Sequence, residues 1–219
     1  LGRAFESLAN AFAIARKLPG EPGEDIEVRA RLHRLAHEHR AWDRLATLYG
    51  GLAESAESAT GAMDLLLEVA EIRREQGQLA EAEAQYRRVL GMRPDHEAAR
   101  TALEALYRKS NRWVELAASL EERTDPRLGT AAPEAARPAL LRELANIYIE
   151  QLQRTHDAIE ALDRLRALVP SDLAVLREQA NLYGDIGRWS KAVECLTRVV
   201  ETADAGPEFV DARRRSAQI

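Results

Sequence analysis

Two phrases in this 219-residue chain, LLRELANIY and VLREQANLY, each set an arginine four residues ahead of an asparagine: Arg142 with Asn146, and Arg177 with Asn181. A third, DARRRSAQI, repeats the offset with Arg214 and Gln218. On a helix, residues i and i+4 share one face. The registers agree, because each arginine precedes an alanine (145, 180, 217) by three residues and each amide follows it by one. Three such helices stacked side by side would present a row of guanidinium groups beside a row of carboxamides. Guanidinium forks pair with carboxylates. Carboxamides both donate and accept, so they can satisfy the backbone of an extended peptide. The plain alternative is a set of surface residues copied by duplication, with Glu143 and Glu178 neutralising the adjacent arginines.

Other chemistry is scarce. His33 and His37 are i,i+4 and would share a helical face, a spacing usable for metal ligands. No HExxH accompanies them and no cysteine lies near, so a polar helix face is the simpler reading and no metal site is assigned. His96 and His156 fall at breaks. Cys195 is the only cysteine, so no intrachain disulfide can form, and beside Leu196 it reads as a small core residue. A glycine-rich phosphate loop, a GxSxG elbow and a Cys–His pairing are all missing. The sequence implies no cofactor and no catalysis. The net charge of −5 argues against a dominant basic face for nucleic acid, and no apolar run reaches the roughly 18 residues of a membrane span.

The elements that must position these side chains are helices. Ala, Leu, Glu and Arg dominate, while Val, Ile and Thr are sparse and no alternating run could build a sheet. The chain also repeats itself. HEHRAWDRLATLY, YRKSNRWVELAASL and YGDIGRWSKAVECL stand at 37–49, 107–120 and 183–196 and hold all three tryptophans. Trp113 and Trp189, Tyr107 and Tyr183, and Pro94 and Pro170 are each separated by 76 residues, the mark of an internal duplication. Each unit divides again into halves of about 34 residues, in which an apolar helix, a short polar break and a second amphipathic helix follow one another. In 63–96 the break is Gln76–Gly77–Gln78; Pro94 blocks continuation and Asp95 is the expected N-cap of the next helix. Stretches 53–62, 124–138 and 202–208 read as longer loops. Each tryptophan opens a second helix, where its indole is expected to wedge against the first; truncating a buried one would cost about 3–5 kcal/mol.

This grammar resembles the tetratricopeptide repeat, a helix–turn–helix unit of about 34 residues. The matching residues are Leu66, Val69, Ala70, Ala82, Tyr86 and Pro94; then Leu141, Leu144, Ala145, Tyr148, Ala158, Leu162 and Pro170; then Leu176, Ala180, Tyr183, Ala192 and Leu196. Repeat 97–130 departs from the pattern with Glu104 and Leu116 at the small positions, and 137–172 carries about one extra residue in its break. The expected organisation is an end helix and loop (1–25), repeats at 26–62, 63–96, 97–136, 137–172 and 173–208, and the start of another at 209–219. The chain then reads as a slice of a longer array.

The resemblance implies an all-α solenoid with a right-handed superhelical path, whose first helices line a concave groove. The rows Arg142, Arg177, Arg214 and Asn146, Asn181, Gln218 would then face that groove. The implied function is non-catalytic protein–protein interaction, with an extended or acidic protein segment as partner. The alternative is an architectural spacer or self-association module working through the end helices. An RNA-processing type of helical repeat is a weaker third reading, because the aromatics fall on packing stripes rather than among arginines. Neither nucleic acid nor membrane is expected as partner. The compartment is not legible, and a cytoplasmic one is the default.

Overall fold

The computed structural model describes residues 7, 8, 10–12 and 24–202. Among them every regular element is helical: α1 (Glu24–His39), α2 (Trp42–Glu54), α3 (Ala59–Glu75), α4 (Leu79–Met92), α5 (Glu97–Lys109), α6 (Trp113–Thr124), α7 (Arg137–Asn146), α8 (Thr155–Leu168), α9 (Leu173–Asp185) and α10 (Trp189–Thr202). A short 3-10 turn (Glu134–Ala136) leads into α7, and a π-type turn (Ile147–Gln151) follows it. The all-α repeat fold expected from the sequence is the fold observed. Two units, Leu1–Leu106 and Tyr107–Ile219, are described in turn.

In the first unit α1 packs on α2, α2 on α3 and α3 on α4. Residues spaced three and four apart meet in one core that includes Leu32, Ala36, Leu45, Tyr49, Met63, Leu66, Val69 and Val89. Phe12 joins it, its ring centroid 5.6 Å from that of Tyr49. The expected loop at 53–62 is shorter than predicted. Ser58 caps α3 by accepting from the Gly61 N–H, and the helix begins at Ala59 with Gly61, Ala62 and Met63 already buried. The N-cap expected at Asp95 falls instead to His96, whose Nδ1 accepts from the Ala99 N–H at 3.3 Å because α5 starts one residue later than the aspartate requires.

In the second unit α6 packs on α7, α7 on α8, α8 on α9 and α9 on α10. Leu116, Leu120, Leu141, Leu144, Ala145, Ala158 and Leu162 are buried, and Leu176, Ala180, Cys195, Leu196 and Val199 form a further cluster. Pro138 stands in the first turn of α7, where a missing N–H does no harm.

The turns inside the helix pairs share one construction. The N–H groups of Ala41, Gln78, Arg112 and Arg188 return to the carbonyls of Ala36, Arg73, Tyr107 and Tyr183, five residues back. The residue before each donor has a left-handed backbone, as in Gly77 (φ 78°), Asn111 (φ 55°) and Gly187 (φ 71°). In the first pair the left-handed residue is Arg40 (φ 52°), directly before Ala41, so all four follow the helix-ending pattern in which a left-handed residue closes the last turn. The fifth turn spans one residue more: Arg154 N–H returns to Tyr148 O at 2.8 Å, and Leu152 N–H closes on Ile147 O at 3.0 Å. The extra residue seen in the sequence is taken up as the π-type turn, with Gln153 (φ 53°) in the left-handed place.

Candidate functional site

These turns put the first helices in register, counted from residues 26, 63, 97, 138 and 173. The fifth place of that register holds Arg142 and Arg177 and the ninth holds Asn146 and Asn181. Asn146 and Asn181 are exposed, and Arg142 and Arg177 are half-buried. Arg214 and Gln218 lie outside the described residues. Arg142 reaches from α7 across to α9: its guanidinium sits 2.7 Å from Asp172 Oδ2 and 3.4 Å from Glu178 Oε2. The first helices of successive pairs therefore adjoin along this stripe. Asp172 meanwhile caps α9, accepting from the Ala174 N–H through Oδ1 at 3.0 Å.

Burial pushes the Glu178 carboxyl above its ordinary value, Arg142 pulls it back and Asp172 raises it again. The sequence set each glutamate against the arginine beside it on the same helix; Glu178 engages Arg142 of the preceding repeat, so this contact acts between repeats. Glu143 behaves alike and takes both guanidinium donors of Arg108, at 2.6 and 2.9 Å. In the first unit Glu68 stands at the same sixth place and accepts from Arg29 at 3.0 Å. Sequence reasoning missed this role, although the signal was legible: Glu68, Glu143 and Glu178 each precede the small residue Ala70, Ala145 or Ala180 by two.

The histidines make aromatic and polar contacts within the first unit. His33 holds the eighth place of its helix, where Ala70, Ala145 and Ala180 stand in three of the other pairs, and Leu45 takes the second-helix place that Ala82, Ala158 and Ala192 hold there. Its Nε2 lies 3.4 Å from Glu68 Oε2, and this contact, followed by the charge of Arg29, holds the Glu68 carboxyl below its usual range against the opposing effect of burial. His33 and His37 both stand edge-on to Trp42, with centroids 5.9 and 6.4 Å away. Among the described residues no group of three His, Cys, Asp or Glu is placed to hold a metal, and no helix is long and apolar enough to cross a membrane. Burial raises the Cys195 thiol, in keeping with a core residue.

The tryptophans correct one expectation. None is fully buried: Trp42 and Trp113 are half-buried, and Trp189 is 53% exposed. Each still opens a second helix, and Trp189 lies against its own first helix, where a Cβ added at Gly184 would come 3.4 Å from the indole Cζ3.

Comparison with known proteins supports the repeat reading. Residues 64–96 match the family model for the tetratricopeptide repeat. No curated protein matches the chain. Solved structures that resemble it include a tetratricopeptide repeat protein from Parabacteroides merdae, with 16% identity over 98% of this chain and 78% of that one, TM-score 0.40. BtubC (BKLC) from P. vanneervenii shows 16% identity over 99% of this chain and 91% of that one, TM-score 0.45. MamA, residues 41 to the end, from Desulfovibrio magneticus RS-1 shows 19% identity over 72% and 94%, TM-score 0.39. Residues 64–96 are thus a tetratricopeptide repeat, with helix–turn–helix pairs of the same construction before and after it in the sequence.

Proposed function

We propose that this chain is a protein-interaction scaffold whose first-helix face in the second unit holds an extended peptide segment. A non-catalytic role is typical of the family. One observation carries the reading: Asn146 and Asn181 occupy one register on adjoining first helices and are both exposed, while Arg142 joins those helices through Asp172 and Glu178. A carboxamide offers a donor and an acceptor, the complement of a peptide unit. Two of them, one helix apart, match an extended chain crossing the face. Arg142 is already engaged by two carboxylates, so recognition falls first on the peptide backbone. An acidic side chain in the partner has to compete with Asp172 and Glu178 for the guanidinium.

The test is selection of random linear peptides on the full chain, followed by affinity measurement against Asn146→Ala plus Asn181→Ala. Each amide contributes roughly 1–1.5 kcal/mol when it bonds a backbone group. The double variant should therefore bind roughly 10–100-fold more weakly with unchanged circular dichroism. Equal affinity of selected peptides for both proteins would move the site to another face. Failure to select any peptide would remove the peptide reading altogether.

A further inference from the structure

We propose that Trp189 is the apolar anchor of this peptide row, an open indole plate that receives a proline or aliphatic side chain of the bound segment. The inference rests on the peptide reading above and names the kind of residue that segment must carry.

The geometry begins on α9. At about 100° per residue, Arg177, Asn181 and Gly184 fall within one sector of about 60°, so they form a single stripe that runs along the helix. At Gly184 the stripe presents no side chain. The atom nearest to where one would stand is Cζ3 of Trp189, at 3.4 Å. The indole therefore stands beside the end of the stripe that carries Asn181. It is 53% exposed, one of the four large apolar side chains exposed among the described residues.

The same register sets this tryptophan apart from Trp42. The twelfth place of the first helix is His37 in the Trp42 pair, Arg108 in the Trp113 pair and Gly184 in the Trp189 pair. His37 stands edge-on to Trp42 at 6.4 Å and covers it. Gly184 covers nothing. Nor does the backbone require glycine there. Gly184 lies within α9 and is not among the glycines of positive φ, and a Cβ at 3.4 Å sits at the near edge of ordinary contact. Glycine inside a helix is less stable than alanine. The residue thus works against its own helix while leaving an aromatic face open to solvent.

Exposed tryptophan is favoured at binding surfaces because it supplies a large rigid area with few torsions to order. The charged residues flanking the plate in sequence, Asp185 and Arg188, are both exposed and opposite in sign. They give no net field to select an ion. Shape and apolar area decide the occupant, and a proline ring or a branched aliphatic chain suits a flat aromatic face.

The experiment uses peptides selected on the full chain. Each peptide residue is replaced in turn by aspartate, and affinity is measured on wild type, Trp189→Ala, Trp189→Phe and Gly184→Leu. One apolar peptide residue should lose 10-fold or more on wild type. That sensitivity should vanish on Trp189→Ala and largely survive on Trp189→Phe. Gly184→Leu, which covers the plate without removing the indole, should weaken binding about 10-fold while the helix keeps or gains thermal stability. If Trp189→Ala fails to fold, Gly184→Leu carries the test alone. Peptides that depend on Asn146 and Asn181 but bind wild type, Trp189→Ala and Gly184→Leu equally would overturn the anchor and leave the row standing. Absence of any selected peptide would remove both.

Discussion

Arg142→Met isolates what the arginine does for the fold from what it does for a ligand. Methionine keeps the length and apolar stem of the side chain and removes the charge. In the native protein Arg142 faces Asp172 at 2.7 Å and Glu178 at 3.4 Å, and the three side chains are 35%, 32% and 29% exposed. A fully exposed pair contributes about 0.2–1 kcal/mol and breaking a buried one costs about 3–5. At one-third exposure, solvent screening brings the expected loss to about 1 kcal/mol at pH 7. The sign of its pH dependence follows from Glu178. Burial raises this carboxyl above its ordinary value and Arg142 opposes the rise. A raised carboxyl favours the folded state when protonated, so its contribution is present at low pH and lost as pH rises through the folded value. Removing Arg142 raises Glu178 further and deepens that loss. Urea unfolding should therefore show little difference between wild type and Arg142→Met near pH 4, and about 1 kcal/mol near pH 7. Adding Glu178→Gln should recover part of the deficit, since it removes the carboxylate left without its cation. A deficit of equal size at both pH values would mean that packing, not charge, holds α7 to α9. The consequence for function is direct: a charge reversal at Arg142 disturbs the joint between first helices, so lost binding in such a variant says little about a groove.

Two further predictions concern the turns. At Gly187 (φ 71°) an added Cβ meets nothing within 4 Å, so Gly187→Ala tests backbone strain alone and should lower stability by about 1 kcal/mol. At Arg40 (φ 52°) glycine relieves the same strain but frees the unfolded chain; Arg40→Gly should be neutral or stabilising by up to about 0.5 kcal/mol. Urea midpoints that move the opposite way at either site would refute the shared turn. Deletion of Gln151, an exposed residue of the π-type turn, should restore the five-residue closure of the other pairs. Full helicity by circular dichroism and a melting temperature within a few degrees of wild type are expected; loss of the cooperative transition would mean that the wider turn is required.

How much of this was legible depended on which residues repeat. The fold was, because small residues, Tyr107 with Tyr183 and Pro94 with Pro170 recur at fixed spacing, and periodicity survives without knowledge of contacts. The extra residue near 150–157 was visible as a count, while its form as a π-type turn was not, since a spacing does not say which hydrogen bond absorbs it. The cap at His96 was hidden by Asp95, the stronger capping residue by type, because the start of α5 is set by packing of the next turn. The departure at Glu104 and Leu116 was seen in one repeat only. The first repeat departs as well, with His33 and Leu45 at the two small places, and His33 lies half-buried against Trp42, Tyr49 and Glu68. Its signal was present in the register of HEHRAW against SNRW and GDIGRW, but three clustered histidines invite a search for metal first.

The tryptophans show why copied sequence does not mean copied role. One phrase places an indole at the start of three second helices, and the residue five positions before it differs between Trp42 and Trp189. With His37 in that place Trp42 is partly covered; with Gly184 in that place Trp189 stays open. Duplication supplies the aromatic three times over, and packing needs it only where a neighbour covers it. An uncovered copy has a hydration penalty with no internal return. A glycine that keeps it uncovered weakens its helix as well. Two unfavourable choices at contacting positions, both at the end of the stripe that carries Arg177 and Asn181, point to a ligand as the missing neighbour. Stability alone would select alanine at 184. If Gly184→Ala raises the melting temperature and weakens peptide binding, the glycine is there for the partner; if it raises both, the open indole is a residue of duplication and nothing more.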